Sequence, residues 1–501
     1  MSGFSKTDRV GERNREIYYM KDTYHLILLG TRLPQLALGT LMARWGHKVL
    51  IIDQHKEENS TATKRKQGYI FSKRPAPLFG LHSAGLLRHF LDEIGIGRVL
   101  IQKSHPSNPV SYQVVLPRSR INVTASREQL FDELFREFPE RIDTFRKLYS
   151  EWDLLARNWH DSYPDLDSFV EKRHLIAGFS ARARNRMNAS RIESMAKSLR
   201  QNGGAGKFLS VQNHFLGSYP LDGAPEALAA SLIHSIGRRG TFEEPTGSSS
   251  LTSLLATRFQ EFGGKIEYGV AIKKINILSR SSVEVLLDGD EKRQAKCLVT
   301  TTGIADGLKA ISEIFNKRKV SPSNPLVPVR FYLGIKDSLV PVGMEDNLLY
   351  MPEKDDVLPG KGGYYLALSP KDSEMAPESM RAMTVTILTE PARLSELAQA
   401  PGSDLKRELI SALEAVIPFI NKGLTFVGSD MSDSEKGMVP RPLGGGTVAW
   451  SPGLVGKTNV QFLSRKRIAL ISPTPWELGV EGEVISALTA AVALRKLVGS
   501  K

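Results

Sequence analysis

A single cysteine, Cys297, stands in 501 residues, so no disulfide can form within the chain, which suits a reducing compartment. No stretch approaches the ~20 consecutive apolar residues that a membrane-spanning helix requires. The polar opening MSGFSKTDRVGERNREIYYMKD lacks the apolar centre of a secretory signal, and residues 1–19 read as a disordered tail. The ten histidines are scattered, with no HExxH and no Cys/His cluster, so no metal site is expected. Acidic residues are in deficit, 54 against 67 Lys and Arg, giving a net charge of +13. Such an excess fits nucleic acid or an anionic membrane surface. No nucleic-acid-binding module is recognisable, which argues against the first partner. Basic residues concentrate between Lys172 and Arg200, opposed only by Glu171 and Glu193. That stretch is either a solvated helix face or a membrane-surface patch. The expected location is cytoplasmic, with peripheral attachment to the inner face of a membrane as the second possibility.

What is present points to an α/β fold. Apolar residues at 41% and charged residues at 24% describe an ordinary soluble globular protein, and the length calls for two or more domains. Leu26 to Leu29 is an apolar run with the character of a buried strand, and Gly30 supplies the tight turn out of it. Leu36 to Arg44 has helical character, Gly46 closes it, and Val49 to Ile52 forms a second buried strand ending in Asp53. This is the frame of a dinucleotide-binding unit, with Asp53 placed where a carboxylate holds a ribose hydroxyl. Its phosphate-binding centre departs from G-x-G-x-x-G. The segment reads Gly30-Thr31-Arg32-Leu-Pro-Gln35, so Arg32 stands where a glycine lets backbone approach a pyrophosphate, and Gln35 where a glycine lets the helix pack on the strand.

Further along, Gln54 to Lys66 is polar and basic, Gly68 to Phe71 a short strand, and His82 to Gly97 a helix. Strands are predicted at Val110 to Val115 and Ile121 to Val123. Ser126 with Gln129 has the capping-box pattern at the start of a helix. Helical, charge-rich sequence continues to about Arg200 and breaks at Gly203-Gly204. A second block follows: a helix over Leu251 to Phe262, Gly263-Gly264, then strands at Lys265 to Tyr268, Ile272 to Ile277, Val283 to Leu287 and Lys296 to Thr302. Val327 to Leu333, Tyr364 to Leu368 and Ala382 to Leu388 indicate a separate mixed sheet. Asp404 to Ile417 is a helix, Ile468 to Ile471 a strand, and a last helix runs from about Gly482 to Val498.

These blocks together resemble the phytoene desaturase and carotenoid isomerase branch of the flavin amine-oxidase superfamily, from about Asp22 to Lys496. Pro245 to Ile275 is similar to that family's glycine turn, helix, Gly-Gly and strand, and Tyr365 to Thr389 to its β-rich substrate domain. The resemblance implies an FAD/NAD(P)-binding Rossmann-like domain assembled from residues 20–120, 225–310 and 455–501. A mixed α+β substrate domain would come from 121–224 and 311–454. It implies FAD contacts at Gly30, Thr31, Arg32, Asp53, Ile272, Ser472, Gly479 and Val480, and an isoprenoid, polyene or other lipid as ligand. The departures continue at the far end of the chain. Where the family has a strand ending in Gly-Asp and a glycine-rich turn, this chain has Ile471-Ser472 and Trp476-Glu477, with Gly479 and Gly482 kept.

Trp476 would lie at the flavin-ring end of the ligand space. His214 and Tyr219 either line that cavity or occupy ordinary loop and core positions. The chain is also loosely similar to Rab GDP-dissociation inhibitor, a relative that lacks FAD and binds prenyl chains. Two classes therefore stay open: a flavin-free lipid carrier or partner-binding protein, and an FAD-dependent desaturase, saturase or isomerase with a non-standard site.

Overall fold

The computed structural model describes residues 23–55, 63–73, 79–81, 86–103, 110–162, 189–201, 203–217, 234–235, 238, 242, 250–278, 282–301, 327–353, 363–389, 402–429, 460–463, 467–471 and 479–499. Two large sheets organise them. The first is built on parallel strands β1 (Thr23–Leu29), β2 (Val49–Asp53), β7 (Lys265–Tyr268), β10 (Lys292–Thr301) and β17 (Ile468–Ile471), in the order β17-β10-β1-β2-β7. β16 (Val460–Leu463) extends one edge antiparallel, and the ribbon of β8 (Ile272–Ile277) and β9 (Val283–Leu287) joins β10. Alternate residues of β1 and β2 serve two cores. Ile27, Leu29, Leu50 and Ile52 pack with Ile275, Val283 and Val285 of the ribbon. Leu26, Leu28, Val49 and Ile51 face helices on the other side. Burial on both faces explains why these strands read as unbroken apolar runs.

The helices on that side are α1 (Leu33–Arg44), α4 (Leu251–Glu261) and α6 (Gly479–Val498). α1 packs against both others, so it is buried on nearly every side, from Leu33 through Ala43 apart from Pro34. Gly39 sits at its closest approach to the sheet. A Cβ there would lie 3.1 Å from Leu28, 3.2 Å from Ile51 and 3.3 Å from Phe259, so the glycine sets the helix–strand spacing. α4 begins at an N-cap, with the Ser250 hydroxyl accepting from the Ser253 N–H.

The second sheet has the order β15-β11-β14-β13-β12-β5-β6, from β5 (Val110–Leu116), β6 (Ser119–Thr124), β11 (Val327–Lys336), β12 (Asn347–Tyr350), β13 (Tyr364–Leu368), β14 (Met380–Thr389) and β15 (Leu424–Ser429). One face carries α5 (Gly402–Glu414) on Val329, Phe331, Leu366 and Val385. The opposite face meets α3 (Gly203–Gly217), whose Phe215 ring lies 6.3 Å from Tyr365. On the same face, Phe71 of the hairpin β3 (Thr63–Lys66) and β4 (Tyr69–Ser72) lies 5.2 Å from Tyr332. α2 (Ile142–Ser162) follows a helix over Arg127–Glu137 that starts at the predicted cap, Ser126 accepting from the Gln129 N–H.

Several expectations shift. Val110–Leu116, within the 20–120 segment expected for the nucleotide-type unit, pairs with β6 and β12 in the second sheet. β3 forms within the segment Gln54 to Lys66, whose polar, basic sequence predicts no strand. Its strand carries lysine and arginine stems with no apolar alternation to see, and Lys64 stands 4.5 Å over the Tyr332 ring. The helix expected from His82 to Gly97 is helical over Leu86–Glu93, turns at Gly95 (φ +78°), and a separate helix runs Gly97–Lys103. Residues 82–85 lie outside the described ones. α1 starts at Leu33 because Pro34 suits the first helical turn, and α6 begins at Gly479.

Candidate functional site

β1 and β2 run parallel with Leu29 beside Ile52, which brings the turn after β1 next to the end of β2. Gly30 takes the left-handed conformation (φ +86°) and donates its N–H to the Ile52 carbonyl at 2.7 Å. The turn thus has the expected shape, and it delivers Thr31 directly onto Asp53. The Thr31 N–H donates to Asp53 Oδ2 at 2.8 Å, and the Thr31 hydroxyl donates to the same oxygen. From the other side, the His55 N–H and the His55 Nδ1–H each reach Asp53 Oδ1 at 2.9 Å. A carboxylate presents about four lone-pair directions, and four donors of this chain meet the two oxygens of Asp53.

The carboxyl is buried, at 6% exposure. Burial alone would raise its pKa, but hydrogen bonds from His55 and Thr31 favour the ionised form more strongly and bring it from 3.8 down to about 2. Its folded pKa lies below its ordinary one, so the folded state binds fewer protons in this window. The stability from Asp53 is therefore full above about pH 4 and lost as the pH falls through about 2, by roughly 2 kcal/mol. Urea titrations of wild type and Asp53→Asn should show a gap that closes over this range. A gap that stays constant from pH 5 to the lowest pH reached would refute this role for the carboxylate.

The rest of the turn departs from a pyrophosphate cradle. Such a cradle uses the free N–H groups of a helix N-terminus and a backbone that the ligand can approach. Pro34 removes one of those N–H groups from the first turn of α1. Arg32 is the helix N-cap in extended conformation, with no side-chain cap, and its long side chain stands where a glycine would leave room. Gln35 is fully buried and its amide Nε2 donates to the Leu29 carbonyl at 3.2 Å. The amide thus ties α1 to the end of β1 where a glycine would have let them touch.

Backbone of the β7–β8 turn joins the same region. The Gly269 N–H donates to the His55 carbonyl at 2.9 Å and the Val270 N–H to the Asp53 carbonyl at 3.2 Å. Ile272, half-buried at the start of β8, is thereby held two residues beyond an Asp53 contact. Val480 is buried in the helical core that includes Leu33 and Leu36, at the start of α6 with Gly479. Gly30, Thr31, Arg32 and Asp53 are therefore assembled, with the strand of Ile272 anchored beside them.

Ser472, Trp476 and Tyr219 lie outside the described residues, as does the His214 side chain, although His214 belongs to α3. Of the basic stretch from Lys172 to Arg200, only Ala189–Arg200 is described, as a helix. Among the described residues no group of His, Cys, Asp and Glu could hold a metal ion, and no helix is long and apolar enough to cross a membrane. Cys297 is buried in β10, which pushes its thiol up to about 12 and leaves it inert. Sequence reasoning missed His55 as a partner of Asp53, although a histidine two residues past the strand end was the available signal. It also missed Gly39, whose spacing of four from Gln35 keeps it on the sheet-facing side of the helix.

No family model matches the chain, and no curated protein matches its sequence. Solved structures do match it. An oxidoreductase from Methanosarcina mazei is 15% identical, with 93% of this chain and 99% of that one covered at a TM-score of 0.59. Cyclohexylamine oxidase from Brevibacterium oxydans IH-35A is 13% identical over 95% and 99%, with a TM-score of 0.55. Rab GDI from Plasmodium falciparum is 12% identical over 81% and 89%, with a TM-score of 0.50. The chain shares the fold of these oxidoreductases, a Rossmann-type parallel sheet with the mixed sheet inserted. At these identities the likeness concerns the fold alone.

Proposed function

We propose that this protein is a flavin-free binder of an apolar isoprenoid or polyene ligand, a carrier or partner-binding protein on a scaffold shared with amine oxidases. The observation that carries the reading is the saturation of Asp53. With Thr31 and His55 supplying four donors, a ribose hydroxyl would have to displace a hydrogen bond made by the chain itself. The residues present do not fit FAD bound in the usual way. Arg32 and Pro34 oppose close approach of a pyrophosphate, and Gln35 fills the helix–strand contact. No chemical step is therefore assigned to the flavin. The apolar ligand follows from the resemblance to the phytoene desaturase branch. The fold's likeness to Rab GDI adds that such a scaffold is also found in a protein outside the oxidases.

A second reading keeps one observation in its favour. Gly30 retains its left-handed turn and Asp53 its buried place at the end of β2, as an FAD-dependent desaturase, saturase or isomerase would require. Solvent extraction and native mass spectrometry of the purified protein separate the two. The carrier reading expects a stoichiometric polyene or prenyl lipid without flavin. Recovery of neither lipid nor flavin would sink both readings.

A further inference from the structure

A polar cluster in the helical layer lies outside the turn just described. Tyr149, Trp152 and Asp153 project from one face of α2, three and four residues apart. His234 stacks on Trp152 with ring centroids 4.3 Å apart and planes within 5°, and Tyr149 stands edge-on to both at 5.2 and 5.9 Å. Arg238 Nη2 donates to both oxygens of Asp153, at 2.7 and 2.8 Å, and the Ser235 hydroxyl donates to Asp153 Oδ1 at 2.7 Å. Arg238 also donates to the Ala125 carbonyl at 2.9 Å, and Ser111 donates to the Arg238 carbonyl at 2.7 Å. Ser111, Tyr149, Trp152, Asp153, His234, Ser235 and Arg238 are all at least nine-tenths buried.

Within this satisfied frame four buried polar atoms have no hydrogen-bond partner: Tyr149 Oη, Trp152 Nε1, His234 Nδ1 and Arg238 Nε. Three belong to rings in mutual contact, and Arg238 is tied to Asp153, the residue next to Trp152 in α2. A buried donor or acceptor left unpaired has lost its bonds to water without replacement, so four together describe a place suited to a polar group. Its character follows from the donors and acceptor. Trp152 Nε1 and Arg238 Nε only donate, and the Tyr149 hydroxyl can do either. His234 meets the Asn213 amide oxygen through Nε2 at 3.0 Å, so Nε2 carries the proton and Nδ1 accepts. Burial keeps that imidazole neutral, lowering its pKa to about 3. The Arg238 charge is paired with Asp153, whose carboxylate also has the more exposed Arg127 guanidinium at 3.9 Å, so the acceptor that distinguishes a ligand here is the His234 Nδ1 lone pair.

We infer that Tyr149, Trp152, His234 and Arg238 form a site for a neutral hydroxyl group, the head of an isoprenoid alcohol. A hydroxyl oxygen accepts from the indole and guanidinium N–H groups, and its O–H donates a hydrogen bond to His234 Nδ1. A carboxylate would set a negative charge against the lone pair of Nδ1, and a hydrocarbon would leave all four atoms unpaired. The inference rests on the lipid-binding reading above and specifies the end group of that lipid. A trapped water offers the same hydroxyl chemistry, and the choice of probes separates the two sources.

The test compares geranylgeraniol, its methyl ether and the corresponding hydrocarbon against the full chain, stripped of bound lipid. Geranylgeraniol should bind at least tenfold tighter than either comparator, because the ether cannot donate and the hydrocarbon can neither donate nor accept. It should also move an indole N–H resonance that Trp152→Phe removes. Tyr149→Phe should narrow the preference for the alcohol while hydrocarbon binding holds. Equal binding of all three probes, with the indole resonance unmoved, would place a water there and overturn this inference while leaving the lipid reading intact. Binding of none would overturn both. If Trp152→Phe does not fold, the wild-type affinity ratio alone decides.

Discussion

Purified protein is expected to be colourless, without the yellow absorbance of oxidised flavin, and added FAD should leave its melting temperature unchanged. A true site at a hundredfold excess of ligand over Kd would gain about 2.7 kcal/mol, which a thermal melt detects easily. The expectation follows from Asp53, whose oxygens already meet four donors of the chain, and from the turn in which Arg32, Pro34 and Gln35 replace an open, N–H-rich backbone. A reversal makes the cause testable. Arg32→Gly, Gln35→Gly and Ser472→Asp together should raise FAD affinity if occlusion is responsible. A stoichiometric flavin band in the wild type would refute the carrier reading outright. If the reversal instead weakens FAD binding, Arg32 serves as a phosphate ligand, and the oxidoreductase reading takes its place.

Arg238→Met should lower stability by about 3–5 kcal/mol, because it leaves the buried Asp153 carboxylate with the Ser235 hydroxyl as donor and, as counter-charge, only the more exposed Arg127 at 3.9 Å. At about 2–4 °C per kcal/mol for a sizeable domain, the melting temperature should fall by roughly 10 °C. Removing both charges in Asp153→Leu/Arg238→Met should restore most of the loss, since two neutral side chains carry no desolvation penalty. The double-mutant cycle reads the coupling directly. An Arg238→Met protein as stable as wild type would mean that the pair contributes little and does not hold the frame around Tyr149 and His234.

The frame of the fold was legible in the sequence because local pattern carries it. Apolar runs at 26–29 and 49–52 could only be strands buried on both faces, Gly30 could only be the turn, and Ser126 with Gln129 a helix start. Strand β3 was not legible, because it is held by Lys64 over the Tyr332 ring and by a hairpin partner, neither of which leaves an apolar period. Nor was the membership of β5 in the second sheet, which is settled by its pairing with β12, more than 230 residues away along the chain.

The sequence by itself determined that the phosphate turn had lost two glycines while keeping its strand–turn–helix and its terminal carboxylate. Whether that carboxylate still had capacity to receive a ligand was a tertiary matter. Its partners arrive from Thr31, 22 positions away, through the register of β1 on β2, and from a histidine whose ring orientation no local pattern specifies. The buried cluster on α2 belongs to the same category. Tyr149 and Trp152 look like core aromatics in the sequence, and only the packing of His234 and Arg238 against them leaves polar atoms unpaired. Periodicity records which side chains leave water. Hydrogen-bond satisfaction depends on which distant groups meet them there, and that is decided only when the chain has closed.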